Sequence, residues 1–145
     1  MSVESVAREL VSNMTNVAKV KGMVTADAMA SGGVLPRPVP IMETMNIISG
    51  LSAALPDMKF DIKEVMVKGN DATVKAVWSG TQTGALNLGM PGMPSLPATG
   101  KKVSVKDTYV VTVQGDKVSH MRVDSPADGG IPAMMAQLGA KMPGM

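Results

Sequence analysis

The first part of the chain carries a helical pattern of apolar residues. Between residues 2 and 20, apolar side chains recur at the three- or four-residue spacing of a helix, and the charged ones lie off that face. This pattern predicts an amphipathic helix that stops at Gly22. A short second helix is predicted from about Thr25 to Ala30. A third is predicted from about Pro40 to Leu55, because proline suits the first helical position and Pro56 follows the end.

From Met58 onward, apolar and polar residues alternate, as they do in strands with one buried face. The parity of the alternation changes near Glu64, which predicts a β-bulge. Turn sequences at 69–71 and 115–116 separate consecutive strands. The predicted strands run from Met58 to the first turn, from Ala72 to Thr83, from Val103 to Gln114 and from Lys117 to about Asp124.

This order of elements, helices first and then a strongly twisted antiparallel sheet, is typical of an α+β fold with helices on one sheet face. A curved sheet capped by helices leaves a cavity at its open end, which is a common place for a small-molecule site. We assign residues 1–124 to one domain. Residues 125–145 form a C-terminal tail with a short helix predicted near 131–138.

A long apolar loop, residues 85–98, joins the second and third predicted strands. The motif Gly80-Thr81-Gln82-Thr83-Gly84 precedes it, and Pro97-Ala98-Thr99-Gly100-Lys101 closes it. Apolar loops on the rim of a sheet commonly act as lids, pocket walls or subunit contacts. We therefore treat Met90 and Met93, which lie in this loop, as candidate substrate-binding residues.

The composition excludes several classes of site. The 145 residues include no cysteine and one histidine, so we expect no disulfide framework, no thiolate chemistry and no His-rich metal site. The net charge is +2, and the lysines form no stripe with interleaved aromatic residues, so we expect no nucleic-acid binding. No segment has a secretory pattern or membrane-spanning length. We expect a cytoplasmic protein without a metal or cofactor.

The chain has 15 methionines but only three aromatic residues, Phe60, Trp78 and Tyr109. Two interpretations of the methionines stay open. They replace phenylalanine and leucine as core filler, or they line an adaptable apolar pocket, because the methionine side chain is flexible and polarizable.

Asp107 is the most informative polar residue of the predicted sheet. It interrupts an apolar strand face, two residues before Tyr109. If that face lines a cavity, desolvation raises the pKa of Asp107, and the carboxyl can act as a general base or acid near neutral pH. Tyr109 could then donate a hydrogen bond to a developing enolate, while Trp78 and Gln82 on the neighbouring strand supply a wall and an amide. The alternative is a structural carboxylate, partly solvated and paired with a lysine or a backbone N–H.

His120, the single histidine, alternates with Arg122 and Asp124 on the polar face of the last strand. The pattern places it on the solvated or subunit-contact side of the sheet. A slip of one residue exchanges the two faces, so His120 is kept as a candidate substrate-binding residue. Asp124 ends the strand and could reach the cavity rim from either face, which makes it a candidate catalytic residue.

A set of short motifs resembles the SnoaL-like polyketide cyclase family, which shares the cone-shaped α+β fold of ketosteroid isomerase. Each motif is weak alone, but the set spans nearly the whole chain in the family's order. The motifs are Leu55-Pro56-Asp57 with Phe60, Gly69-Asn70-Asp71, the segment Trp78–Gly84, Pro97–Lys101, Gly115–Val118 with His120, and Gln137-Leu138-Gly139.

The resemblance implies an acidic residue on the last strand that abstracts a proton in an intramolecular aldol closure, assisted by a histidine on the preceding strand. Aligned on the turn Gly115–Val118, these positions are Val123 and Tyr109, so both family identities are replaced. Asp107 and Tyr109 could form a different pair on the same wall. The fold also hosts isomerases, dehydratases, epoxide hydrolases and ligand-binding proteins, so the fold alone does not decide the chemistry.

Two hypotheses follow. In the first, the protein is a cofactor-free cyclase or isomerase of a small apolar, carbonyl-containing molecule, with Asp107 as the base. In the second, it is a non-catalytic small-molecule-binding or dimeric assembly module. The resemblance implies a homodimer in either case. An open cavity that contains Asp107 favours an enzyme or carrier, and a collapsed methionine-filled core favours the assembly module.

Overall fold

The computed structural model describes residues 2–32, 37–86, 95–126 and 129–139. Within these ranges the chain forms four helices and the six strands of one sheet. The helices are α1 (Val3–Ser12), α2 (Val17–Met23), α3 (Ile41–Ala54) and α4 (Gly130–Gln137). The strands are β1 (Val24–Gly32), β2 (Val39–Pro40), β3 (Lys59–Lys68), β4 (Asp71–Thr81), β5 (Lys102–Gln114) and β6 (Lys117–Val123).

The strands are arranged in the order β2-β1-β6-β5-β4-β3. β1 and β6 pair in parallel, and the other neighbouring strands are antiparallel. Helix α1 packs on β3, β4, β5 and β6, while α3 contacts β1 and β2. The predicted α+β class with a mainly antiparallel sheet is therefore confirmed.

The alternating pattern located β3 to β6 to within a few residues. The predicted bulge lies at Lys63, because the β3–β4 pairing shifts between Ile62 and Glu64. Both predicted turns contain a glycine with positive φ, 61° at Gly69 and 66° at Gly115. Glycine adopts this conformation without the steric penalty of a Cβ atom.

The single helix predicted over residues 2–20 is instead two helices. Asn13 caps the end of α1, where its backbone N–H donates to the carbonyl of Glu9. The Asn16 side chain then accepts from the backbone N–H of Lys19 at 3.2 Å and begins α2. Asparagine is a strong capping residue, so the pair interrupts a helix that the apolar spacing alone would continue. Gly22 lies inside α2 and does not stop it.

Residues 25–30 belong to a strand, so the short helix predicted there is wrong. Their alanine and methionine content favours a helix locally. However, β1 pairs in parallel with β6, with Met29 opposite His120, and this pairing buries Ala28 and Ala30. Tertiary pairing overrides a weak local propensity here.

Helix α3 agrees with the predicted helix except at its ends. Pro40 is the N-cap residue, not the first helical residue, and Leu55 is the C-cap. Ile41, Met45 and Leu51 of this helix are buried.

The tail returns to the sheet along the edge of β5. In the described part of the chain, β6 pairs with β5 only from Tyr109 onward, so the first half of β5 lacks a strand on that side. The Gln137 side chain occupies this edge, because its amide accepts from the N–H of Ser104 at 2.9 Å and donates to the carbonyl of Ser104 at 2.8 Å. The helix predicted near 131–138 corresponds to α4, whose Met134 is buried.

Candidate functional site

A cavity of about 80 Å³ lies between the helices and the inner face of the sheet. It is located where two apolar clusters meet: one joins α1 to the centre of the sheet, and the other joins the end of α3 to Trp78 and α4. Its polar lining residues are Thr44, Asp107, Tyr109 and Ser125, and no lysine, arginine or histidine is among the described lining residues. The rest of the lining is Met14, Gly32, Ile47, Ile48, Leu51, Met58, Phe60, Trp78, Met121, Val123 and Ile131.

Asp107 lies on β5 with its side chain directed into this cavity, and the residue is only 6% exposed. The indole N–H of Trp78 on β4 donates to Oδ2 at 3.1 Å. The hydroxyl of Ser125 donates to Oδ1 at 2.6 Å. Each carboxylate oxygen therefore has a neutral donor from a different part of the fold.

Burial raises the pKa of Asp107 above that of an ordinary aspartate, because the charged form loses its hydration. Hydrogen bonds from Ser125, Trp78, the backbone of Thr108 and Tyr109 act in the opposite direction and limit the rise. The predicted direction of the shift agrees with this geometry. A carboxyl group in such surroundings is a stronger base than a solvated one.

Tyr109 lines the cavity two residues further along β5 and is 3% exposed. Its ring packs edge-to-face against Phe60, with ring centroids 6.3 Å apart. Burial and the adjacent Asp107 charge raise the pKa of Tyr109 well above its ordinary value. The phenol therefore keeps its proton and can act as a hydrogen-bond donor.

Thr44 is the remaining polar lining residue, and its hydroxyl already donates to the carbonyl of Ile41 at 2.6 Å. This bond is internal to α3. The donors that can serve a bound molecule are therefore concentrated at the Asp107 end of the cavity.

Gln82, predicted as a substrate amide, lies outside the cavity lining and is fully buried. Its amide donates to the carbonyl of Pro97 at 3.1 Å and accepts from the Thr99 hydroxyl at 2.6 Å. These bonds join the two motifs that flank the loop, 80–84 and 97–101. We therefore assign Gln82 a role in holding the base of the loop.

The other residues of the Gly80–Gly84 motif attach the loop to the end of α3. A Cβ atom at Gly80 would lie 2.9 Å from Cβ of Leu55, so only glycine fits this close approach. Thr81 donates from its backbone N–H and its hydroxyl to the two oxygens of Asp57. Thr83 and Gly84 donate their backbone N–H groups to the carbonyl of Ala54, which satisfies an end carbonyl of the helix.

Most of the apolar loop lies outside the described residues, and this includes the candidates Met90 and Met93. At the edge of that segment, Leu86 and Leu96 exchange two backbone hydrogen bonds of 2.7 and 2.9 Å. Leu86 is buried in the second apolar cluster. The described ends of the loop are thus fixed to the domain.

The candidates His120 on β6 and Asp124 just after it are not among the cavity-lining residues. His120 hydrogen-bonds to the hydroxyl of Ser31 on β1, at 3.1 Å, and is not a lining residue. Asp124 has an exposed side chain 4.0 Å from the Arg122 guanidinium. Val123, at the position of the family acid, does line the cavity.

The sequence analysis did not single out Ser125, although the alternation of side chains along β6 indicates which way it faces. Met121 and Val123 face the cavity, and residue 125 continues that parity one step beyond β6. The backbone N–H of Asp124 donates to the carbonyl of Thr108 at 2.7 Å and prolongs the pairing. A serine at the next inward position therefore reaches Asp107.

Two further classes of site are absent from the described part of the chain. Its His, Asp and Glu side chains form no group of three that could hold a metal ion. None of its helices combines the length and the hydropathy needed to cross a membrane.

Solved structures share this fold at low sequence identity. A candidate SnoaL-like polyketide cyclase from Jannaschia sp. CCS1 is 18% identical with a TM-score of 0.72, over 92% of this chain and 90% of that chain. IdmH, a candidate polyketide cyclase from Streptomyces antibioticus, is 16% identical with a TM-score of 0.75, over 97% and 100%. A hypothetical protein from Catenulispora acidiphila DSM 44928, solved in complex with trimethylamine, is 14% identical with a TM-score of 0.67, over 93% and 92%, and is described as ketosteroid isomerase-like in fold.

The sequence comparison assigns the family. No curated protein matches the sequence. The profile of the family described as SnoaL-like polyketide cyclase matches residues 5–123, which is more than half of the chain. With the shared fold, this match shows that the protein belongs to the SnoaL-like polyketide cyclase family.

Proposed function

We propose that the protein binds a small, uncharged carbonyl compound in the cavity and transfers a proton at the carbon next to the carbonyl, as a cofactor-free cyclase or isomerase. The observation that carries this proposal is the Asp107 carboxylate, which lies inside an apolar cavity and is held only by neutral donors. A protonated Tyr109 lies beside it.

Asp107 is the base in the proposed reaction. The substrate C–H bond breaks, its proton moves to a carboxylate oxygen, and the electron pair delocalises onto the carbonyl oxygen as an enolate. Tyr109 donates a hydrogen bond to that oxygen and stabilises the developing charge. In an isomerisation the proton then returns to another carbon. In an aldol closure the enolate carbon bonds to a second carbonyl, and the new alkoxide takes the proton.

The proposed base lies one strand away from the position that the family resemblance implies. Val123 on β6 occupies the family's acid position, and Tyr109 on β5 is its direct partner in the sheet. Asp107 is two residues from Tyr109 on the same face of β5, and all three line one cavity. An acid on either strand therefore reaches a substrate in the same space.

The lining also limits the substrate class. A carboxylate or phosphate would meet the Asp107 charge without a lysine, arginine or histidine among the described lining residues. An engineered apolar cavity of about 150 Å³ binds benzene, so about 80 Å³ accommodates a smaller molecule or the reacting end of a larger one. A small ketone fits these limits.

Deuterium exchange into 2-butanone in D2O, followed by proton NMR, tests this proposal directly. The wild-type protein should accelerate exchange of the protons next to the carbonyl. Asp107→Asn should reduce the protein-catalysed rate by about 100-fold or more, because the amide cannot accept the proton. The exposed Asp124→Asn is the matched control and should change the rate by less than about twofold. Equal rates for wild type and Asp107→Asn would remove Asp107 from the mechanism.

A second candidate is a non-catalytic carrier of a small organic cation. Phe60, Trp78 and Tyr109 are the only aromatic residues of the chain, and all three line the cavity that contains Asp107. Aromatic rings recognise methylated ammonium groups, and a carboxylate adds charge complementarity. The trimethylamine bound by the Catenulispora acidiphila protein belongs to this chemical class.

Calorimetric titration separates the two candidates. A carrier should bind tetramethylammonium, should lose that binding in Asp107→Asn, and should leave 2-butanone unexchanged. Neutral tert-butanol has nearly the same shape, so equal binding of both compounds would exclude recognition of charge.

A further inference from the structure

The segment that follows β6 contributes to the cavity although it lies beyond the family match. That match ends at residue 123. Ser125 and Ile131 nevertheless line the cavity, and the Ser125 hydroxyl makes the 2.6 Å bond to Oδ1 of Asp107. The site is therefore completed by residues that lie outside the matched segment of this chain.

Backbone contacts on both sides hold Ser125 in this position. Before it, the Asp124 N–H donates to the Thr108 carbonyl at 2.7 Å. After it, Gly129 passes so close to the backbone of β5 that a Cβ atom would lie 2.2 Å from the carbonyl oxygen of Lys106. The hydrogen bonds between Gln137 and Ser104 then fix the end of α4 to the same strand.

Two of the donors to Asp107, Trp78 and Ser125, act on different carboxylate oxygens. Trp78 donates to Oδ2 from β4, and Ser125 donates to Oδ1 from the tail. Two bonds on opposite oxygens fix the rotation of the carboxylate group about its Cβ–Cγ bond. Of these two donors only Ser125 comes from the tail, so the tail supplies the short bond to Oδ1.

We propose that Ser125 is a positioning residue that orients the Asp107 carboxylate toward a molecule in the cavity. Its catalytic consequence rests on the proposed function, but its effect on Asp107 does not. The Ser125 hydroxyl also stabilises the charged form of Asp107. Loss of this hydroxyl should therefore raise the pKa of Asp107 and leave the carboxylate less well oriented.

Carboxyl-carbon NMR titration of the full chain tests this without a substrate, with Asp107→Asn to assign the resonance. Ser125→Ala should move the Asp107 titration to higher pH, and Ser125→Thr, which keeps the hydroxyl, should restore it. Ser119→Ala is the matched control, because its hydroxyl contacts the Thr112 carbonyl and not the cavity. An Asp107 titration that is the same in Ser125→Ala and wild type would overturn the proposal.

The 2-butanone exchange assay adds the catalytic readout. Ser125→Ala should lower kcat by about tenfold, shift the acid limb of the pH profile upward, and change KM by less than about twofold. Ser125→Thr should recover most of the rate. An Ser125→Ala protein with wild-type kcat and pH profile would also overturn the positioning role. If the wild type shows no exchange but Ser125→Ala still moves the Asp107 titration, the proposed function fails and the placement of Ser125 stands.

Discussion

Gln82 provides a quantitative test of how the base of the apolar loop is held. Its side chain is fully buried and makes two hydrogen bonds, to Pro97 and Thr99. Its backbone makes two more, with Lys101 and Gly100. Gln82→Met removes the side-chain bonds but keeps the length of the side chain and the backbone pairing.

The expected cost of Gln82→Met is about 1–2 kcal/mol in the free energy of unfolding. Each lost hydrogen bond contributes a net value of about 1 kcal/mol. Pro97 and Thr99 are exposed, so water can satisfy both groups after the change. Burial of an apolar side chain in place of an amide offsets part of the loss.

Gln82→Glu has the same shape but places a carboxylate oxygen against the Pro97 carbonyl. A buried charge without a cationic partner costs about 3 kcal/mol or more near pH 7. Burial raises the folded-state pKa of such a group above the free value of about 4.3. The destabilisation therefore grows as the pH rises above that value, and it fades at lower pH, where the neutral acid can donate to Pro97.

Urea unfolding at several pH values measures these differences, provided that the m-value stays constant. Thr99→Val in a double-mutant cycle with Gln82→Met should give a coupling of about 0.5–1 kcal/mol. Gln82→Met with wild-type stability, or Gln82→Glu with a pH-independent cost, would show that this network does not hold the loop.

Three further predictions concern other parts of the fold. Asp107→Asn should stabilise the protein at pH values above the elevated pKa of Asp107, because folding disfavours ionisation of the wild-type carboxyl. In thermal unfolding scans, the stability difference between variant and wild type should vanish below about pH 3.9. Gly32→Ala should lower the free energy of unfolding, measured in urea, by about 2 kcal/mol or more. The reason is that φ of Gly32 is +82° and a Cβ atom there would lie 2.2 Å from the Val123 carbonyl oxygen. Near-wild-type stability would contradict this packing. We propose that two copies of the chain form a homodimer through the outer face of β5, which carries the half-buried Val110. Sedimentation equilibrium should then give a mass of about twice 15.0 kDa for the wild type and the monomer mass for Val110→Glu. A monomeric wild type would refute the proposal.

Sequence reasoning succeeded where the information is local. The alternation around Asp107 placed it on the apolar face of β5, because a strand's faces follow directly from its period. It predicted a raised pKa on the condition that this face lines a cavity, which it does. It failed at residues 25–30, whose strand partner is distant in the sequence. It also predicted that Gln82 contacts a substrate. The alternation shows on which face of the sheet a side chain lies, but it does not show that a loop residue, Pro97, occupies its hydrogen-bonding amide. The inward orientation of Ser125 could be predicted from the alternation of Met121 and Val123. Its contact with Asp107 could not, because this contact depends on the path of the tail.

The parallel pairing of β1 with β6 also constrains how the chain reaches its native state. Apart from the two residues of β2, residues 24–32 pair with residues 118–123, so a very long loop must close before β1 can join the rest of the sheet. Such closure slows folding relative to helix and hairpin formation. During synthesis from the N-terminus, we expect β3, β4 and β5 to assemble first as consecutive hairpins. The first strand must wait until nearly the whole chain has left the ribosome, and its apolar residues Ala28 and Ala30 remain exposed to chaperones and aggregation throughout that interval.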